Sequence, residues 1–171
     1  MGGFKIKYFE RVIVIALVIG ISAFGVRAFD DWRERPDGPC SEEMVFVPSP
    51  QGGFCIDRYE ASPGDKCTYP FPMSQEDTRR NLEEIDCEYV SKAGKRPWVF
   101  VSRLQAQQMC ARSGKRLATP AEWHMAVMGS VDSPECHLDK NWSQQPGATG
   151  QNQGCRTGSG IMDMIGNAWE W

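Results

Sequence analysis

Gly114-Lys115-Arg116-Leu117-Ala118-Thr119-Pro120-Ala121-Glu122-Trp123 carries the most decisive local signals in the chain. Thr119 and Glu122 stand at capping-box spacing, so that the threonine oxygen and the glutamate each satisfy an orphan backbone N–H at a helix start. Pro120 falls at the first helical position, where its missing N–H costs nothing. A helix therefore opens at Thr119, with Trp123, Ala126 and Val127 as its apolar face and Gly129 as its end. Upstream, Ser102-Arg103-Leu104-Gln105 is a second capping box. Leu104, Ala106, Met109 and Cys110 keep one face of that helix and Gly114 stops it. Lys115-Arg116-Leu117 is the short basic connector between the two.

Strand signals flank these helices. Met44-Val45-Phe46-Val47 is an apolar run stopped by Pro48, as expected of a buried strand. A turn over 49–53 leads to Phe54-Cys55-Ile56-Asp57-Arg58-Tyr59, where Phe54 and Ile56 share one face and Cys55, Asp57 and Tyr59 the other. Trp98-Val99-Phe100-Val101 is a third strand candidate. Residues 62–96 are poor in apolar periodicity and rich in acids, which predicts a surface insertion with one helix near 75–85. So long a loop needs a staple, and Cys67 with Cys87 would supply it. Residues 130–160 are Gly-, Ser-, Asn- and Gln-rich loop with Cys136 and Cys155 near the ends. Both pairs are expected as disulfides, leaving Cys40, Cys55 and Cys110 with at least one thiol free or bonded outside the chain. There is no internal repeat.

The 171 residues amount to about one domain. Apolar residues make up 41% and charged residues 24%, which excludes disordered, collagen-like and polytopic membrane classes. A formal net charge of -3 offers no basic excess for nucleic acid. Seven cysteines, no C-x-x-C pair and only two histidines point to an oxidising compartment rather than to metal binding. The N-terminal segment agrees with that. Lys5, Lys7 and Arg11 precede an uncharged run over 12–26, apolar around its whole circumference, and Arg27 closes it. The run is short for a span of about 20 residues and typical of a signal-peptide core. Residues 1–28 are expected to act as a signal peptide, with cleavage after Ala28 possible, or as a single hydrophobic anchor helix. If uncleaved, residues 12–26 would hold the protein in a membrane. Residues 29–43 are a linker with Pro36, Gly38 and Pro39 as breakers. Losing Lys5, Lys7, Arg11 and Arg27 takes Lys+Arg from 19 to 15, and losing Glu10 takes Asp+Glu from 22 to 21, so the exported part carries about −6.

Chemistry-bearing motifs are sparse. His124 lies within the second helix, and His137 beside Cys136 has no second ligand at metal-like spacing. Nucleophile-elbow, P-loop and H-E-x-x-H patterns are absent. In Ile161-Met162-Asp163-Met164-Ile165-Gly166-Asn167-Ala168-Trp169-Glu170-Trp171, two hard carboxylate donors flank a Gly-Asn-Ala turn. Carboxylates mixed with main-chain oxygens suit calcium. The same spacing also suits an ordinary turn between two core tryptophans.

Five blocks, in this order, resemble the formylglycine-generating enzyme (sulfatase-modifying factor) family. They are Met44 to Pro48, Phe54 to Glu60, Val101-Ser102 with Ala106, Gly114 to Trp123, and Asp163 to Trp171. The most specific are G-K-R-L-x-T-x-x-E-W and D-M-x-G-N-x-W-E-W. The resemblance covers 44–171 and implies an irregular, loop-rich α+β domain of C-type-lectin-like fold behind the N-terminal hydrophobic helix. It also implies structural calcium held by the side chains of Asp163 and Glu170 and the carbonyls of Gly166 and Ala168. In catalytic members a copper-binding cysteine pair beyond the W-E-W block, after an R-G-G-S-like segment, oxidises a client-protein cysteine to formylglycine. The sequence as given holds neither segment nor pair. No catalytic role is carried onto Cys55 or Cys110, and copper is expected only if the full-length protein continues past Trp171. Two functions follow as expectations: a family-type oxidative role toward a client protein, or a non-catalytic lectin-like binding or display module at the cell envelope. A structural appendage of an envelope complex is a third. The domain is expected outside the cytoplasm, membrane-anchored or secreted.

Overall fold

A computed structural model describes residues 38–131, 136 and 146–171. The apolar run over 12–26 and His137 lie outside the described residues. Among the described residues, no helix is long and apolar enough to cross a membrane.

The elements are β1 (Met44–Val47), β2 (Phe54–Asp57), β3 (Ser62–Pro63), α1 (Gln75–Glu83), β4 (Tyr89–Val90), α2 (Arg103–Arg112) and α3 (Pro120–Val127). β1 pairs antiparallel with β2, Val45 opposite Ile56 and Val47 opposite Phe54; β3 pairs antiparallel with β4. The described chain is thus a loop-rich α+β structure with two small antiparallel sheets.

Both capping boxes form. Ser102 accepts from the Gln105 backbone while the Gln105 side chain accepts from the Ser102 N–H, and Thr119 and Glu122 do the same for α3. The Glu122 carboxylate is also gripped by the fork of Arg116, at 2.6 and 2.7 Å. That guanidinium, followed by the Thr119 backbone N–H, pulls the Glu122 carboxyl down to about 2. Its folded pKa lies below the unfolded value of 4.5. The contribution to stability is therefore present above pH 4.5 and lost as the pH falls toward 2. Glu122→Gln should lower Tm at pH 7 by an amount worth at most about 1 kcal/mol, because Arg116 is well exposed. The difference from the parent should shrink as the pH falls below 4.5 and vanish only below about 2; a constant difference across a pH series of melting curves would refute this account.

Two apolar clusters hold the structure. In the first, Val45, Val47, Ala126, Ile161 and Met164 pack with Phe54, Ile56, Trp123 and Val127, joining the β1–β2 hairpin to α3 and the terminal segment. In the second, Cys67, Leu82, Cys87, Tyr89, Trp98 and Met109 come together, with Val101 against them. The second cluster corrects one expectation, since residues 62–96 are not only a surface insertion: Cys67, Leu82, Cys87 and Tyr89 are buried together with Trp98 and Met109. The weak periodicity of this stretch has a physical reason: α1 buries Thr78 and Asn81 beside Leu82, and these polar side chains are satisfied. Asn81 accepts from the Tyr69 N–H at 2.9 Å and donates to the Tyr69 carbonyl at 2.8 Å, and Thr78 donates to the Val99 carbonyl at 3.1 Å.

Two further expectations fail. Residues 98–101 form no strand: the Trp98 N–H donates to Ala61 O and its indole N–H to Thr78, and Phe100 sits at φ 58°, where a ladder cannot continue. Leu104 does not join a buried face of α2, being 78% exposed.

The disulfides Cys67–Cys87 and Cys136–Cys155 are present, with Cα separations of 4.5 and 5.3 Å. A third, Cys40–Cys55, was not anticipated, and Cys110 keeps its thiol. Three disulfides are the signature of an oxidising, extracellular or periplasmic, compartment.

Candidate functional site: an aromatic, acid-lined cleft

A cleft of about 520 Å³ lies between the two clusters, within the size range of ligand pockets. Phe54, Trp123 and Met164 of the first cluster and Tyr89, Trp98 and Met109 of the second line it. Trp169 and Trp171 complete its rim; they are 87% and 57% exposed. They are therefore not the core tryptophans of an ordinary turn. Trp171 is nevertheless held, its indole N–H donating to Val101 O at 3.0 Å.

Two charged pairs sit in the walls. Lys115, from the connector after α2, places Nζ 2.6 Å from Asp57 Oδ1 on β2 and 5.1 Å from the Tyr89 ring centroid. The Tyr89 hydroxyl donates to Asp57 Oδ2 at 3.0 Å. Burial, and then the Asp57 charge, push that hydroxyl's pKa far up. The same two causes raise the nearby Cys110 thiol, against the pull of Lys115. A raised pKa removes thiolate, so Cys110 is a poor nucleophile at neutral pH. Arg116 with Glu122 is the second pair.

The terminal block is latched to the end of β2 by Glu60, which sequence reading did not single out. One Glu60 oxygen accepts from the Ala168 N–H at 2.9 Å, the other from Asn167 Nδ2 at 2.6 Å. Asn167, at φ 52°, in turn accepts the Gly147 N–H at 2.8 Å. Burial raises Glu60 to about 8; the charges of Asp163 and Glu170 add to this, and the Asn167 and Ala168 bonds oppose it. Glu170 accepts the indole N–H of Trp123. Loss of solvation in the cleft wall, helped by the Asp163 charge and opposed by the Trp123 bond, pushes Glu170 up to about 7, although its exposure at the mouth works against the shift.

No family model, no curated protein and no solved structure matches this chain.

Of the four residues expected to hold calcium, Asp163 is buried at φ 60° and accepts the Gly150 N–H at 2.6 Å. Gly166 stands at φ 90°, Ala168 gives its N–H to Glu60, and Glu170 faces the cleft. Among the described residues no three or more Asp, Glu, His or Cys side chains are grouped for a metal ion. A cation here would rest on the two carboxylates of Asp163 and Glu170 plus main-chain oxygens. Copper does not fit: it is selected by thiolate pairs, and six of the seven cysteines are consumed in disulfides. The missed residues were silent for a physical reason. Glu60 acts across 108 positions, and its one sequence signal is its place at the end of the Phe54 to Glu60 block.

Proposed function

We propose that residues 44–171 form a formylglycine-generating-enzyme-like domain of C-type-lectin-like fold, exported by residues 1–28 as signal peptide or anchor, whose cleft receives a segment of a client protein. The observation that supports this is convergence. All five blocks of the family resemblance, far apart in sequence, contribute to the lining of one cleft: Met44, Phe54 to Asp57 with Tyr59 and Glu60, Val101 with Ala106, Gly114 to Ala118 with Trp123, and Met164 with Ala168 to Trp171. Chance likeness would scatter such blocks over the surface. In this reading the exposed Trp169 and Trp171 grip the bound segment, and the latch from Glu60 to Asn167 and Ala168 fixes where they stand.

The residues of this chain bind and orient; they do not oxidise. Cys110, the one thiol, has its pKa raised and has no thiol partner. With copper, oxygen and a peptide carrying a sulfatase-type cysteine motif, the full chain should bind the peptide with a change in tryptophan emission, about tenfold more weakly as Trp169→Ala, and yield no aldehyde. An unchanged emission would overturn the client-binding role, and aldehyde would overturn the non-oxidative one.

Calcium belongs to the same proposal as a structural ion on Asp163 and Glu170 with the carbonyls of Gly166 and Ala168. Only two acidic charges hold it, which places affinity at the weak end. Calcium at millimolar concentration should raise Tm by a few degrees, roughly the linkage expected well above Kd. Asp163→Ala lowers Tm by itself, because it orphans the buried Gly150 N–H, so the calcium-dependent part of the shift is what counts. That part should disappear in the variant; a parent protein that ignores calcium would exclude the site.

A further inference from the structure

The cleft carries a charge imbalance. Its charged lining residues are Asp57, Glu60, Glu122 and Glu170 against Lys115 and Arg116. Lys115 is used by Asp57 and Arg116 by Glu122. Glu60 and Glu170 remain, and among the described residues their hydrogen-bond partners are all neutral: Asn167, Ala168 and Trp123. Glu60 is part-buried and Glu170 stands exposed at the mouth, neither bonded to a cationic side chain among the described residues, and a cation entering from outside favours both as carboxylates. The walls select what kind of cation. Trp123, Trp169 and Trp171 present large π surfaces beside these acids, and aromatic faces attract organic cations whose apolar substituents can be desolvated. A small hydrated metal ion has no use for tryptophan.

We infer that the cleft's ligand presents an organic ammonium group, which seats beside Glu60 and Glu170 against Trp123, Trp169 and Trp171. This rests on the reading of the cleft as a binding site and names the chemistry of what enters it. Glu170 is common to this inference and to the calcium proposal, and binding measured without metal separates the two. The charge gives selectivity over neutral molecules of the same shape, and the tryptophans give contact area.

Choline and its neutral isostere 3,3-dimethylbutan-1-ol separate the two contributions. Both are titrated into the full chain in EDTA, so that no metal takes part, with tryptophan emission and calorimetry as readouts. Choline should bind at least about tenfold more tightly than the isostere. Glu170→Gln keeps an acceptor for the Trp123 indole and removes the charge; it should erase most of that difference while leaving isostere binding unchanged. Trp169→Ala, at an exposed position, should weaken both. Equal binding of the two probes, or a preference that survives Glu170→Gln, overturns the inference while the cleft reading stands. If neither probe binds but the cysteine-motif peptide does, the inference alone fails; if the peptide also fails, both fall. Nα-acetyl-lysine amide is the third arm. Its competition with choline assigns the ammonium group to a protein side chain, and its failure to compete assigns it to a free small molecule.

Discussion

Trp98→Ala is expected to cost about 3–5 kcal/mol. For a folded unit of this size that is a fall in Tm of roughly 10–20 °C. Trp98 is 6% exposed within the second apolar cluster. Its loss empties a large volume beside Leu82, Tyr89 and Met109, and it also cuts a relay. The indole N–H donates to Thr78 Oγ1 at 3.1 Å, and Thr78 donates to the Val99 carbonyl at 3.1 Å. Trp98→Phe keeps most of the volume and removes only the first bond, so it should cost about 1–2 kcal/mol. Thr78→Val leaves the indole N–H unsatisfied and should cost about 1–3 kcal/mol. Because the two share one bond, their double variant should cost less than the sum. Chemical denaturation of the four proteins tests this, and a Trp98→Ala protein within 1 kcal/mol of the parent would show that the cluster is not a core.

Removing Cys67–Cys87 by alanine at both positions should cost about 3 kcal/mol, the chain-entropy figure for a loop of 20 residues. Both cysteines are buried within the same cluster as Trp98, so lost packing adds to the entropic effect. Cys110→Ser is the control. Its sulfur is half-buried and makes no disulfide, so its Tm should lie close to that of the parent. If the double variant melts with the parent, the bridge is ornamental and the cluster alone orders residues 62–96.

The parts of this structure that sequence reveals are the ones decided locally. The capping boxes at Ser102 and Thr119 span four residues each, and both formed as expected. Cys67–Cys87 and Cys136–Cys155 were legible because each pair brackets a stretch of sequence poor in apolar periodicity. The hairpin of β1 and β2 was legible from two apolar runs around a turn. What escaped depends on distant partners. β3 and β4 contribute two residues each, too few for any alternation to register. The run at 98–101 reads as a strand only until the pull of Ala61 on the Trp98 backbone is known. Cys40 was placed in a linker, outside the expected domain, so its bond to Cys55 could not be foreseen. In the cleft, Glu170 was singled out by its block, whereas Glu60 acquires its role only when the terminal segment folds back against the end of β2.

The Cys40–Cys55 bond also decides how a mechanical load would travel. It closes a loop of 15 positions that contains all of β1 and the turn before β2. Tension applied along the chain ahead of Cys40 therefore bypasses β1 and enters through a covalent bond into β2, beside Phe54 and Ile56. The hairpin's hydrogen bonds are spared, and β1 cannot be peeled away residue by residue while the bond is intact. Pulled in an optical trap from its N-terminal side, the parent should show an unfolding length shorter than that of a variant with alanine at both Cys40 and Cys55 by the extended length of that loop, roughly 3.3–3.6 Å per residue.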